Sequence, residues 1–380
     1  MSQPELIRGP QGFRLSNAAR AQALGDFMNP TSSRANVVGF GQGVKWTNGE
    51  PTGQPAMLVF VTQKLPATAM LERDLVPPRM EDGTITDVVA VGHLLAQRSI
   101  LDQTSPLDLP TGADRLRGDG LMRGDGFTPV VIEQAPAIQQ LTRRLRPAPS
   151  GVSIGNVAVT AGTLGSVVYD FLPGATTDPP GPGIGMPSTF YLLSNNHVLA
   201  ASNAAPVGSP ILQPGPFDGG KDPHDRIATL TRFVPIQFAP QIPLDRHQNV
   251  VDCAIAQCEF SEATREIYFT GTPLGWRRKA NVSVGDLVRK TGRTTNLTLG
   301  RIIAVEATVD VGYGTSGTAR FRDQVITTNI SAGGDSGSLV TTHDNVALGL
   351  LFAGSALATV FNYIEHVRAA LRVEVSERLM

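Results

Sequence analysis

A histidine, an aspartate and a serine stand in three short blocks whose residue types fit nucleophilic catalysis. The last block is Gly333-Gly334-Asp335-Ser336-Gly337-Ser338, directly ahead of an apolar strand beginning Leu339-Val340. A serine hydroxyl is a weak nucleophile unless a base takes its proton and donors meet the oxyanion that its attack creates. Glycines lacking Cβ let the backbone turn so that the N–H groups of Gly334 and Ser336 converge on one point. Taken alone, the same stretch also reads as a glycine-rich hairpin turn.

The base is sought among six histidines: His93, His197, His224, His247, His343 and His366. His197 follows Tyr191-Leu192-Leu193-Ser194-Asn195-Asn196, where a strand ends in small polar residues and a helical turn begins. The other five read as surface or loop histidines, and His343 lies beyond the strand that follows Ser336. For the carboxylate, Asp252 sits in the apolar run Val250-Val251-Asp252-Cys253-Ala254-Ile255. A carboxylate there is costly unless it is paired or hydrogen-bonded, and orienting a histidine would satisfy it. Asp222, Asp225 and Asp245 lie in loops that water solvates. A metal cluster of His224 with Asp222 and Asp225 is disfavoured for want of a second histidine or thiolate at ligand spacing. No metal and no cofactor are expected.

The chain order His197, Asp252, Ser336 is that of the chymotrypsin-like double barrel. The blocks Leu193–Val198, Val251–Ala254 and Gly334–Gly337 resemble the three catalytic blocks of trypsin-like serine peptidases. Lys290-Thr291-Gly292-Arg293-Thr294-Thr295-Asn296 looks like a hairpin of bacterial members, and Gly349–Ser355 resembles the strand that walls their specificity pocket. Val37–Gly41 and Phe60–Pro66 resemble the leading region of intracellular bacterial and narrow-leaf-type plant members. The resemblance implies Ser336 as nucleophile, His197 as general base and Asp252 as the group fixing its tautomer. It implies an oxyanion hole of Gly334 and Ser336, and a pocket bounded by Ile330, Ser331, Phe352, Ala353 and Gly354. With no acid near Ile330–Ser331, a preference for Lys or Arg is not supported, and a small or apolar side chain is expected instead. Asn195 and Asn196 depart from the small residues common before the family's histidine.

These residues need a scaffold. A chain of 380 residues with 40 Gly and 28 Pro, rich in Val and Thr, points to many short strands and turns. The expected fold is mainly β, a chymotrypsin-like double β-barrel preceded by a small α/β domain. The leading domain spans 1–97, with a helix over Leu15–Phe27, strands at Asn36–Lys45, Ala56–Thr62 and Ile85–Val91, and a turn over Thr47–Pro55. A linker follows over 98–150, with two Arg-Gly-Asp-Gly copies read as turns and a short helix at Ala137–Leu145. The peptidase-like domain spans 151–380, with barrels at about 151–260 and 270–357 and a helix at about 361–371. Expected strands include Val157–Thr160, Leu164–Tyr169, Phe190–Leu193 and Val251–Gln257.

A formal net charge of −1 argues against nucleic acid or an anionic membrane as partner. No apolar run is long enough for a membrane span, and the first residues carry no signal-peptide pattern. Cys253 and Cys258, about 16 Å apart along a strand, are too distant for a disulfide. A cytoplasmic setting is expected. The function expected is serine endopeptidase on protein or peptide substrates. A silent or self-processing fold used as a binding module is the alternative, and homo-oligomer formation stays open.

Overall fold

The computed structural model describes residues 14–31, 34, 36–47, 50–96, 140–376 and 379–380. Among them no helix is long and apolar enough to cross a membrane. The Arg-Gly-Asp-Gly copies and most of the expected linker helix lie outside the described residues. Within that helix's expected range, Gln140–Arg143 form a tight turn instead.

Strands dominate, as the composition requires, and they form two main sheets. The first runs in the order Val373–Glu374, Ser166–Asp170, Phe190–Ser194, Ala254–Cys258, Arg226–Phe233, Pro210–Leu212, Ser153–Asn156 and Gly162–Thr163. In the second, Leu287–Gly292, Leu339–Thr341, Val346–Gly354, Ala358–Tyr363, Thr318–Thr328 and Asn296–Gly312 pair in turn. Leu287–Gly292 then pairs back onto Asn296–Arg301, which closes these strands into a ring. Closure removes the exposed edges that an open sheet would offer to other chains. Each sheet wraps its own apolar cluster, one around Ile154, Leu192, Leu230 and Ala256, the other around Ala304, Phe321, Phe352 and Val360.

The leading α/β unit is continuous with the second sheet. The far half of Asn296–Gly312 leaves the ring and pairs antiparallel with Val37–Thr47, which pairs with Glu50–Val61, which takes Thr86–Ala90 in parallel. Ala56–Val61 is fully buried because both faces are covered. With a side-chain period of two, Ala56, Leu58 and Phe60 enter the core shared with Phe321 and Phe352. Met57 and Val59 enter a second layer under the helix Asn17–Phe27. That helix starts at Ser16, whose hydroxyl accepts from the Ala19 N–H at 2.9 Å, and it buries Ala19, Ala23 and Phe27 one turn apart. Gly39 and Gly43 keep the strand pairing close, since a Cβ would lie 2.4 Å from the Thr308 carbonyl oxygen and 2.4 Å from Leu58 Cδ1 respectively.

Several expected boundaries move. The expected turn at Thr47–Pro55 is mostly strand, with Trp46 opposite Pro51 and Thr47 opposite Glu50. Prolines fit there because, among the described residues, the parallel pairing on the other side of this strand begins only at Met57, and a missing N–H costs little at an edge. Val157–Thr160 is a turn rather than a strand, following Ser153–Asn156. Phe361–Tyr363 belongs to a strand, and the final helix is Ile364–Leu371. Asp252 and Cys253 precede the strand Ala254–Cys258 instead of lying inside it.

Candidate active site

His197 and Asp252 come from neighbouring strands. Ser194 pairs with Ala254 at the end of the Phe190–Ser194 strand, after which Asn196–Leu199 makes one helical turn. Asp252 stands two residues before its own strand, so both side chains emerge from the same end of the sheet. His197 Nδ1 lies 2.6 Å from Asp252 Oδ2, and the His197 N–H reaches Asp252 Oδ1 at 3.3 Å. The carboxylate is fully buried, so these donors replace its lost hydration. His197 Nε2 is buried with no hydrogen-bond partner. The serine hydroxyl is not bonded to it in this structure.

The two asparagines that depart from the family pattern have structural work. Asn195 Nδ2 donates to the Asp252 carbonyl at 2.7 Å, and Asn362 Oδ1 accepts the Asp252 N–H at 3.0 Å. The aspartate backbone is thereby clamped from both sides. Asn196 Nδ2 bonds Asn203 Oδ1 and the Val234 carbonyl, each at 2.7 Å, anchoring the His197 turn.

Ser336 arrives from the second sheet. Its carbonyl accepts the Thr163 N–H at 2.7 Å, and Thr163 Oγ1 donates to the Gly334 carbonyl at 2.9 Å. The Thr163 carbonyl in turn accepts from Ser194 Oγ at 2.8 Å. Gly162 is wedged between the partners: a Cβ there would sit 2.4 Å from Val198 Cγ2 and 3.0 Å from the Ser336 carbonyl oxygen. The serine loop therefore packs beside the helical turn that carries His197. Gly337 sits on the same seam at φ +93°, where a Cβ would be 2.1 Å from Ser194 Oγ and 2.3 Å from the Thr163 carbonyl oxygen. Gly337→Ala is expected to cost roughly 3 kcal/mol, from left-handed strain plus overpacking against backbone that cannot retreat. Thermal unfolding measures it; an unchanged midpoint would show that the seam yields.

The N–H groups of Gly334 and Ser336 have no acceptor among the described residues, whereas the Asp335 N–H bonds Ala332 and that of Gly337 bonds Leu351. Asp335 holds this shape. Its carboxylate is fully buried and accepts N–H groups from Thr294 at 2.9 Å, Thr295 at 3.1 Å and Ala332 at 3.0 Å. Lys290 Nζ stands 3.3 Å away, with neither side chain exposed. Burial draws the lysine pKa below its ordinary value, and Asp335 opposes that pull. Gly292 permits the approach, because a Cβ would lie 2.5 Å from Asp335 Oδ1. The Lys290–Asn296 stretch, notable in the sequence only through resemblance, is thus a clamp for the serine loop.

The sequence reading missed Tyr313. Its hydroxyl donates to Asp252 Oδ2 at 2.8 Å, and its ring lies edge-on to His197 with centroids 5.9 Å apart. Burial, with Asp252 adding to it, raises the phenol pKa well above the usual value, so the group stays a donor. Only the long strand Asn296–Gly312, ending beside the first sheet, brings it there; no local motif marks it. Tyr313→Phe removes one charge-assisted hydrogen bond and leaves the His197–Asp252 pair. If Ser336 chemistry runs through that pair, kcat falls about tenfold with KM nearly unchanged. Unaltered kinetics would leave Tyr313 a packing residue.

The expected pocket residues lie on two segments that meet at Thr359, which bonds Ile330 and Ser331 and pairs with Gly354. Ser331 Oγ would lie 3.1 Å from a Cβ on Gly354 and bonds Thr359 Oγ1 at 2.7 Å. Phe352 and Ala353 are buried in the core with Phe321, whereas Ile330 belongs to a different cluster with Val325 and Leu348. Both cysteines are free and buried. Burial raises the Cys253 thiol well above its ordinary pKa and that of Cys258 to about 12, which leaves neither as a thiolate nucleophile.

No family model and no curated protein matches the sequence. Among solved structures, a glutamic-acid-specific serine protease is similar over 60% of this chain and 100% of its own, at 19% identity and a TM-score of 0.39. Protease A of Thermobifida fusca is similar over 61% of this chain and 100% of its own, at 16% identity and 0.40. The chymotrypsin of Cellulomonas bogoriensis is similar over 61% and 99%, at 15% identity and 0.38.

Proposed function

We propose that the chain is a serine endopeptidase that cleaves peptide bonds of cytoplasmic protein substrates through an acyl-enzyme. The observation that carries this reading is the state of His197. One ring nitrogen is held 2.6 Å from a fully buried carboxylate, and the other is buried and unpartnered, on the helical turn beside which the serine loop packs. An imidazole fixed by a carboxylate presents Nε2 as a base of defined tautomer. Ser336 Oγ attacks the substrate carbonyl carbon while Nε2 takes the hydroxyl proton. The carbonyl oxygen becomes an oxyanion facing the free N–H groups of Gly334 and Ser336. His197 then gives its proton to the amide nitrogen, the C–N bond breaks and the amine leaves. Water, deprotonated by His197, hydrolyses the ester on Ser336 and restores the hydroxyl.

Two free, buried thiols in separate apolar clusters support a reducing compartment. A fluorophosphonate probe tests the chemistry directly. It should label the folded protein once, with the adduct mapped to Ser336 by peptide mass analysis. A folded chain that resists labelling would end the enzymatic reading.

A further inference from the structure

The short segment Leu94–Ala96 runs extended between Gly312 and Gly354. The Leu95 N–H donates to the Gly354 carbonyl at 3.0 Å, and the Gly354 N–H donates back to the Leu95 carbonyl at 3.1 Å, an antiparallel pair. On its other side the Ala96 N–H reaches the Gly312 carbonyl at 3.0 Å, and the Gly312 N–H reaches the Leu94 carbonyl at 3.0 Å. Four backbone bonds thus seat three residues between two strands of the second sheet.

Both walls of this slot are continuous with strands that reach the candidate site. Gly354 ends the strand whose Leu351 bonds Gly337 and Ser338, on either side of that pair at 2.8 and 3.0 Å. Three residue steps of strand lead from Leu351 to Gly354, about 10 Å at ordinary rise. Because the pairing is antiparallel, stepping from Leu95 to Ala96 moves from Gly354 toward Leu351 and the serine loop. Gly312 precedes Tyr313, whose hydroxyl holds Asp252. The side chains fit accordingly. Leu94 and Ala96 are buried with Tyr313, Phe352 and Ala353, while Leu95, between them, is 38% exposed.

An extended peptide added to a sheet edge gains affinity from backbone bonds and selectivity from alternate side chains. We propose that Leu94–Ala96 is a built-in pseudosubstrate strand. It fills the backbone-pairing slot that an extended protein substrate takes, and such substrates enter by displacing it. The occupants that fit carry an apolar residue at the Leu94 position and a small one at the Ala96 position. This inference rests on the endopeptidase reading and adds its regulation.

The test compares two reporters on the full chain. A small fluorophosphonate needs Ser336 and His197 but no extended strand, whereas dye-quenched denatured casein needs both. Leu95→Pro deletes the donor to Gly354. It should raise casein hydrolysis about tenfold while fluorophosphonate labelling stays within twofold of wild type. Leu94→Ser keeps the backbone bonds and weakens the buried anchor, and should raise casein hydrolysis less. Casein hydrolysis that is unchanged, lower or absent in both variants, with labelling intact, would overturn the proposal. Loss of labelling confined to Leu95→Pro reports misfolding, and Leu94→Ser then decides by the same criterion. Absence of labelling in wild type instead defeats the endopeptidase reading, and this inference with it.

Discussion

Ser336→Ala should abolish fluorophosphonate labelling and lower peptide hydrolysis by about a million-fold, with folding intact. The size follows from the proposed chemistry: without Oγ there is no acyl-enzyme, and triad members act as a unit rather than additively. Folding should survive because the loop is held by its backbone and by Asp335, through Ser336 O to Thr163 N at 2.7 Å and Gly337 N to Leu351 O at 2.8 Å. The variant is therefore a clean probe of chemistry. Thermal midpoints within about 2 °C of each other, together with lost turnover, would separate a catalytic role from a structural one. Hydrolysis that persists in the purified variant would place the activity elsewhere.

Lys290→Met should be the most damaging single change outside the proposed triad. It leaves the Asp335 carboxylate buried beside methyl groups instead of an ammonium 3.3 Å away. Breaking one partner of a buried pair costs about 3–5 kcal/mol, because the remaining charge loses its compensation. For a chain of this size that is a fall in unfolding midpoint of roughly 5 °C. The loss should reach catalysis as well. Asp335 also ties down the Thr294, Thr295 and Ala332 N–H groups, so its displacement shifts Gly334 and Ser336. A misplaced oxyanion donor pair lowers kcat by about 10²–10³. Pairing the change with Asp335→Asn removes the orphaned charge but turns an amide N–H toward a backbone donor, and should recover only part of the stability and none of kcat. A single Lys290→Met variant with wild-type midpoint and turnover would show that Asp335 needs no cation.

The catalytic reading was legible in sequence to the extent that it depended on chemistry carried by short blocks. Ser336 was marked by glycines that permit its turn, and Asp252 by a charge in apolar surroundings. The mainly β character followed from Gly, Pro and β-branched content. Boundaries were less legible where a pattern fits two states. Phe361-Asn362-Tyr363 alternates well enough for a strand yet adjoins a helical run, and pairing with Gln324 and Gly349 decided it. Glu50–Pro55 read as a turn from its Pro and Gly, and became strand because its partner strand continued past it.

By itself the sequence determined which groups are candidates for the chemistry: a serine among glycines, a histidine after a strand, an aspartate too costly to bury alone. Those choices rest on side-chain chemistry and backbone freedom, which are local. Tertiary structure alone decided who meets whom. The clasp of Lys290 on Asp335, the hydroxyl of Tyr313 on Asp252 and the seating of Leu94–Ala96 between Gly312 and Gly354 join residues separated by about 45 to more than 250 positions. Contacts at such separations follow from strand order and register. Many registers satisfy the same alternation of apolar residues, and only packing of the whole sheet selects one.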